Sequence, residues 1–312
     1  MKQRILATLA AIALVGVALF GRELLRGSDS GSGPSGTGSN GNGGLPVVAC
    51  TPDLDEICHA LADDGKIAKG TDTLDLDGAA APPPKVEAWI TWDPAPQVAN
   101  VEAGGAERWA EAKPMMSAPL ATVTWETGRA ELSKARCPVG NFERPRQVAT
   151  CMTAILNSQV TLGVGDGSTS ESIARLITIG PAFVDNNGQA DRATLRAIAG
   201  GAPLSGTAKV QATAQTQPAR GASVVFGPES ALKDIAQKPA GRNSGLEVHP
   251  LGDQVMEVVL APRRGGDLTN VADASQSDGL APVRKKLGLS IRPVASNKVD
   301  AGVMYQVWKA LR

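Results

Sequence analysis

The chain has 312 residues, of which 31 are basic and 31 acidic, so its formal net charge is zero. Its sequence contains no basic patch, and this balance argues against nucleic acid as a partner. Aromatic residues make up only 3% of the chain, so any aromatic side chain near a strand end is of interest.

The first 26 residues are typical of a membrane-targeting segment. Lys2 and Arg4 precede an apolar run over residues 5–20 that contains no charged residue, slightly shorter than most bilayer spans of roughly 17–25 residues. We interpret the segment as an uncleaved signal anchor, and cleavage as a signal peptide followed by secretion is the alternative. Because Lys2 and Arg4 keep the N-terminus inside, the rest of the chain is predicted to lie outside the cytoplasm, at the cell membrane.

Residues 27–45 form a linker rich in glycine and serine. The linker has almost no apolar side chain to bury, so nothing offsets the entropy that folding would cost. Such segments behave as random coils. The sequence therefore predicts a flexible tether between the membrane segment and a folded domain over residues 46–312.

The chain has four cysteines, Cys50, Cys58, Cys137 and Cys151, in a domain predicted to occupy a compartment where disulfides persist. Three pairings are possible, and the short loops favour Cys50–Cys58 and Cys137–Cys151. The alternative of a metal site is weak, because the spacing matches no zinc pattern. We expect two structural disulfides and no metal or other cofactor.

Strand and helix patterns alternate through the folded part. A short buried strand over 46–50 precedes a helix that begins near Thr51, where Pro52 and the following acidic residues suit a helix N-terminus. Further strands are predicted over 85–92, 121–125, 159–165, 221–226 and 254–262. Further helices are predicted over 97–103, 126–135, 147–156, 172–179, 231–237, 279–288 and 300–311. This alternation predicts an α/β fold with mostly parallel sheets.

Hydroxyl and acidic residues follow several of the predicted strands. Ligands of parallel sheets bind at the carboxyl ends of strands. Three turns between a predicted strand and the next helix, which we call corners, carry such residues: Thr51; Ser168, Thr169 and Ser170; and Glu229 with Ser230. Hydroxyls and free N–H groups at a helix N-terminus suit a carboxylate or another oxyanion. The alternative is that these residues only cap their own helices, and for Thr51 capping is the favoured interpretation.

Two further residues enter the candidate site. Side chains alternate along a strand, so Trp89 and Trp92 are expected on opposite faces, with one in the core and the other near the cleft or surface. Trp92 precedes Asp93 at a strand end. We therefore interpret Trp92 as a surface on which a ligand could pack. Ser117 lies in a Met-Met-Ser-Ala-Pro segment, where binding and structural roles are equally plausible. The sequence offers no acid–base pair or metal cluster, so we do not predict an enzyme.

The order of these features resembles the extracytoplasmic solute-binding proteins of the type II periplasmic-binding fold, in a divergent, membrane-anchored bacterial form. The resemblance covers most of residues 46–312. The segments that carry it are 47–54, 86–94, 116–123, 162–170 and 222–230. It implies two α/β lobes joined by a hinge of two crossovers, with lobe one over about 46–116 and 250–312 and lobe two over about 117–249.

The resemblance also implies a ligand cleft between the lobes. Carried over by position, the cleft residues are Thr51, Trp92, Ser117, Ser168, Thr169, Ser170 and Glu229. The implied function is capture of a small polar solute or oxyanion, with a membrane transporter as the implied partner. Because no arginine or lysine stands beside Ser168, the alternative is a scaffold or interaction domain that retains the fold and binds an envelope protein.

Overall fold

The computed structural model describes residues 44–70, 72–143, 147, 151, 224–243, 245–263, 268–291 and 301–311. Its strands are β1 (Val48–Cys50), β2 (Ala88–Trp92), β3 (Lys113–Thr124), β4 (Val224–Pro228) and β5 (Glu247–Pro262). They form a five-stranded sheet in the order β1-β2-β5-β3-β4.

Helices flank this sheet in the described ranges. They are α1 (Asp55–Asp63), α2 (Leu76–Ala79), α3 (Ala95–Glu102), α4 (Glu126–Lys134), α5 (Glu229–Gln237), α6 (Pro239–Asn243), α7 (Thr269–Asp273), α8 (Ala281–Leu287) and α9 (Ala301–Leu311). Short 3-10 turns cover Pro52–Leu54, Val139–Glu143, Ala274–Gln276 and Asp278–Leu280. The predicted strand over 159–165 and the helix over 172–179 lie outside the described residues.

The prediction of mostly parallel sheets is wrong for the described sheet. Only β1 and β2 pair in parallel, whereas β2–β5, β5–β3 and β3–β4 are antiparallel. The reason is that β5, which comes late in the chain, enters between β2 and β3 and runs against both. Alternation of helices and strands predicts the α/β composition, but it does not specify the direction of a strand that returns from a distant segment.

The β3–β5 pair is longer than predicted and is interrupted. Its register shifts between Pro119 and Ala121, which pair with Val255 and Pro250 respectively. Residues 251–254 of β5 therefore stand opposite a single residue of β3, and they form a wide bulge with Gly252 at a positive φ of 59°. The bulge divides both strands into two paired sections, since a bulge bends and locally twists the strand that carries it.

Two clusters of buried side chains pack on this sheet. The larger, which we call the main core, includes Trp89 and Trp109, whose rings lie 5.5 Å apart. The smaller, which we call the second core, lies beyond the bulge on one face of the β3–β4 section, whereas Val224 and Phe226 on the other face of β4 belong to the main core. The second core consists of Ala121, Val123, Trp125, Val225, Leu232 and Ile235. Leu232 and Ile235 come from α5, whose apolar face covers one side of the β3–β4 section.

Both predicted disulfides are confirmed. Cys50 is bonded to Cys58, which fixes β1 to α1, and Cys137 is bonded to Cys151. All four half-cystines are buried. The predicted anchor over 1–26 lies outside the described residues, as does nearly all of the linker over 27–45. In the described part of the chain, no helix has both the length and the apolar character needed to cross a membrane.

Candidate functional site

Four buried polar side chains form a row across the sheet, next to the bulge. Thr51 follows β1, Thr91 lies in β2, Glu257 in β5 and Ser117 in β3. Ser117 is directly opposite Glu257, and Thr91 is opposite Val259, so Glu257 faces the same side as Thr91. We call Thr51, Thr91, Ser117 and Glu257 the polar row.

Thr51 joins the first two strands of the polar row. Its Oγ1 lies 2.7 Å from Thr91 Oγ1 and 3.3 Å from the Ile90 carbonyl oxygen, and its backbone N–H donates to the same carbonyl. Thr51 makes no side-chain capping bond to the turn over Pro52–Leu54. Thr51 therefore occupies the predicted N-cap position, and the Leu54 N–H donates to its carbonyl at 2.8 Å, but its hydroxyl is taken up by the neighbouring strand and does not cap the turn.

Trp92 and Trp89 are both buried, so the expectation that only one belongs to the core is wrong. Trp92 is 3% exposed, and its indole Nε1 donates to Asp53 Oδ2 at 3.0 Å. Trp89 Nε1 donates to the Leu74 carbonyl at 3.1 Å. Asp53 lies in the turn after β1, so the Trp92 bond fastens this turn to the end of β2.

The backbone of Ser117 is hydrogen-bonded to the backbone of Ser290. Its N–H donates to the Ser290 carbonyl at 2.9 Å, and the Ser290 N–H donates back to the Ser117 carbonyl at 2.8 Å. The side chain of Ser117 belongs to a residue that is only 2% exposed. Among the described residues, the polar row is therefore internal to the protein and is not a surface groove.

The corner after β4 has two distinct polar groups. Glu229 is half-buried and forms an ion pair with Lys233, one turn further along α5. Ser230 Oγ donates to the Leu287 carbonyl at 2.6 Å, in the last turn of α8. The structure thus brings Thr51, Trp92 and Ser117 to one end of the β1–β2–β5–β3 section, whereas Glu229 lies on α5, which follows β4. Ser168, Thr169 and Ser170 lie outside the described residues.

Sequence reasoning missed Thr91 and Glu257. Glu257 is the only charged residue within the otherwise apolar segment Val255–Pro262 of β5, and it is only 8% exposed. A carboxylate inside an apolar strand is costly to bury unless other polar groups accompany it. This sequence signal was available, but the row itself depends on the strand order, which the sequence did not reveal.

The chemistry available in the described residues is that of recognition by hydrogen bonds. The structure brings together the hydroxyls of the polar row, the indole N–H of Trp92 and the carboxylates of Asp53 and Glu257. In the described part of the chain, no three or more histidine, cysteine, aspartate or glutamate side chains are arranged to hold a metal ion. The backbone of Asp93 extends the edge, because its N–H donates to the Glu257 carbonyl at 2.9 Å. Carboxylates and hydroxyls of this kind fix the orientation of a polar molecule.

No family model matches the chain, and no curated protein matches it in sequence. Its fold is similar to several solved structures. A periplasmic thiamin-binding protein aligns over 86% of this chain and 96% of its own, with 8% identity and a TM-score of 0.52. A hydrogen-peroxide-bound mutant of OxyR from Corynebacterium glutamicum aligns over 90% and 77%, with 12% identity and a TM-score of 0.44.

A tungstate-binding protein from Desulfovibrio alaskensis G20 aligns over 78% of this chain and 92% of its own, with 14% identity and a TM-score of 0.42. Identities this low show likeness of fold alone, and function has to be argued from the site. The alignment with the thiamin-binding protein has the highest TM-score of these three. It shows that this chain has an α/β fold similar to that of a periplasmic solute-binding protein.

Proposed function

We propose that this chain is an extracytoplasmic solute-binding protein, tethered to the cell membrane through residues 5–20, that captures a small polar solute between two lobes. The observation that carries the proposal is the polar row beside the bulge, at the place where β3 and β5 pass from one paired section to the next. The two disulfides support a location outside the cytoplasm.

The bulge supports a hinge at this place. The two strands that cross it are continuous, so they hold the two sections together while allowing a bend. Gly252 lies in the bulge, and a Cβ added there would meet nothing within 4 Å. Because glycine adopts backbone angles that other residues rarely reach, Gly252, at a φ of 59°, can absorb the change in angles that a hinge requires.

The distribution of buried polar residues supports a cleft at the same place. The described residues contain seven buried polar or charged residues, and four of them form the polar row. Thr122 and Thr124, on β3 just beyond the bulge, are two of the others. Because burial of polar groups is costly, their concentration on both sides of one bulge favours a recognition role over a purely apolar core.

In this proposal the solute is held from both sides of the bulge. When the chain bends at the bulge, Thr51, Trp92 and Ser117, which are buried in the structure described, form the floor on the β1–β2–β5–β3 side, and Glu229 approaches from α5. Ser168, Thr169 and Ser170 supply hydroxyl and N–H groups from the second lobe and suit an oxyanion group of the solute. The protein passes the solute to a membrane transporter, and it carries out no chemical reaction.

A second candidate function is a scaffold or interaction domain that retains the fold and binds an envelope protein. One observation favours it: the described polar groups of the site already bond to the protein itself. The Thr51 hydroxyl is next to that of Thr91, and the Trp92 N–H donates to Asp53. A site that satisfies its own hydrogen bonds has less to gain from a solute.

Thermal unfolding of the purified chain in the presence of amino acids, amines, sugars, oxyanions and metal ions distinguishes the two functions. A solute present at about 100 times its Kd adds about 2.7 kcal/mol, which raises the Tm of a domain of this size by about 5–10 °C. We expect one class of compound to produce this shift.

The variants Glu257→Gln and S168A/T169A/S170A test whether the shift comes from the proposed cleft. Both should abolish it, whereas Glu247→Gln should preserve it. Glu247 is a matched control, because it lies on the same strand but its side chain is 54% exposed. If no compound shifts the Tm, the scaffold function replaces the solute-binding function. If the shift survives in all three variants, the solute binds elsewhere.

A further inference from the structure

We infer that residues 287–290 form an interlock with Ser230 of α5, and that this interlock must part before β3 and β5 can bend at the bulge. The inference rests on the hinge of the proposed function and deepens it, because it says what restrains that hinge in the chain without any solute. It rests on three contacts that tie α5, the end of α8 and β3 to one another.

The first contact is a hydrogen bond between two helices. Ser230 Oγ, in the first turn of α5, donates to the carbonyl oxygen of Leu287 at 2.6 Å. Leu287 is the last residue of α8, and the last carbonyls of a helix have no partner within the helix. Ser230 thus satisfies an end group of a helix that is distant in sequence.

The second contact is a close approach that depends on glycine. Gly288 follows α8 with a φ of 65°, in the left-handed region. A Cβ at this position would overlap the Cβ of Ser230. Gly288 therefore meets two requirements at once, since it allows the turn that ends α8 and the approach of α5.

The third contact fixes the far side of the segment. Ser290 exchanges two backbone hydrogen bonds with Ser117 of β3. Ahead of the segment, α8 is joined to α1 by the Lys286–Glu56 ion pair at 2.5 Å. Residues 287–290 are thus held by β3 and α1, on the β1–β2 side of the bulge.

Helix α5 belongs to the other side of the bulge. Its Leu232 and Ile235 pack in the second core with Val123 and Trp125. A bend at residues 251–254 would move the second core, and α5 with it, relative to residues 287–290. The Ser230–Leu287 bond would then break. One neutral hydrogen bond and a close contact form a weak lock, so the interlock sets the population of the bent state without preventing it.

Electron paramagnetic resonance distances test the interlock in the purified full chain without solute. Nitroxide labels on Asp63→Cys of α1 and Gln237→Cys of α5 lie at exposed positions on the two sides of the bulge. Replacing Ser230 by alanine removes the hydrogen bond and keeps the Cβ. We expect S230A to raise the population of the bent state relative to the unbent state, read as two separate label distances, about fivefold, the effect of one lost hydrogen bond.

Gly288→Ala should weaken the interlock more than S230A does, because the added Cβ would overlap the side chain of Ser230. Gly65→Ala is the matched control: Gly65 also follows a helix, with a φ of 66°, but a Cβ there meets nothing within 4 Å. G288A should lower the Tm at least about 5 °C more than G65A. In the double variant S230G/G288A, loss of the Ser230 side chain should restore much of this difference.

The interlock is overturned if S230A leaves the distance distribution unchanged, or if the effects of S230G and G288A simply add. Should G288A fail to fold, S230A alone still decides, because alanine is well tolerated in a helix. Neither result depends on whether a solute shifts the Tm, so failure of the interlock and failure of the proposed function are distinguishable.

Discussion

The main core and the second core use their tryptophans differently. In the main core, Trp89 and Trp109 pack against each other, and their N–H groups donate to the carbonyls of Leu74 and Ala79. In the second core, Trp125 is 1% exposed, and its Nε1 has no hydrogen-bond partner among the described residues. Trp89 and Trp109 are thus better satisfied than Trp125, and since the main core is also the larger, we expect the second core to open first.

Among the variants that compare the two cores, Trp89→Ala should lower the free energy of unfolding the most. It removes a fully buried ring from the main core and should lower the free energy of unfolding by about 3–5 kcal/mol. Trp125→Ala should instead increase hydrogen exchange mainly in α5, whose buried residues Leu232 and Ile235 both lie in the second core. Denaturant titration and amide exchange provide the two measurements. Equal loss of protection throughout the chain in W125A would mean that the two cores unfold as one unit.

Removal of the Cys50–Cys58 disulfide should have the next largest effect. The two residues are separated by 8 positions, and a loop this short stabilises by about 2–3 kcal/mol through the unfolded chain. C50A/C58A should lower the free energy of unfolding by that amount. The exchange rates of α5 relative to the global value should stay the same. A selective loss of exchange protection in α5 would show that the stability of the second core depends directly on the main core.

The indole N–H groups give a smaller and sharper contrast. Both substitutions shrink a buried ring and share the cost of the lost volume, so the hydrogen bond is read from the difference between them. Trp89→Phe leaves the Leu74 carbonyl without its donor, whereas Trp125→Phe removes a donor that has no partner among the described residues, so W89F should cost about 1–2 kcal/mol more than W125F. Denaturant titration of the two variants measures both values. A cost for W125F equal to that of W89F would contradict the assignment of Trp125 as an unsatisfied donor.

The Lys286–Glu56 ion pair should have the smallest effect. It joins α8 to α1, but its side chains are 67% and 47% exposed. Glu56→Gln should cost less than about 1 kcal/mol at low salt, and less in high salt, where the pair is screened. Denaturation at two ionic strengths measures this. A larger, salt-independent loss would mean that the pair supports the end of α8 by packing.

Local features of the fold were predictable from the sequence. The disulfides follow from the spacing of Cys50, Cys58, Cys137 and Cys151, and helix α4 is close to its predicted range of 126–135. The pairing of β5 was not predictable, because no local pattern shows which strands a distant segment will join. Pro114 and Pro119 also concealed the length of β3, and both flank register shifts that accommodate them.

The candidate site was predictable only in part, for the same reason. Thr51, Trp92 and Ser117 were expected to line an open cleft, and the structure places all three at the same end of the sheet but buries them. Their partners, Thr91, Asp53 and Ser290, come from other segments of the chain. The hydrogen bonds that occupy a polar side chain are set by tertiary contacts, and residue type alone does not reveal them.

The strand order also has a consequence for biosynthesis. Strand β5 lies between β2 and β3, so the first half of the chain emerges from the ribosome with a gap in its sheet. At about 5–20 residues per second, synthesis from the end of β3 to the end of β5 takes on the order of 10 s. Any sheet that forms during that interval leaves edges of β2 and β3 unpaired, and unpaired edges are sites of premature association.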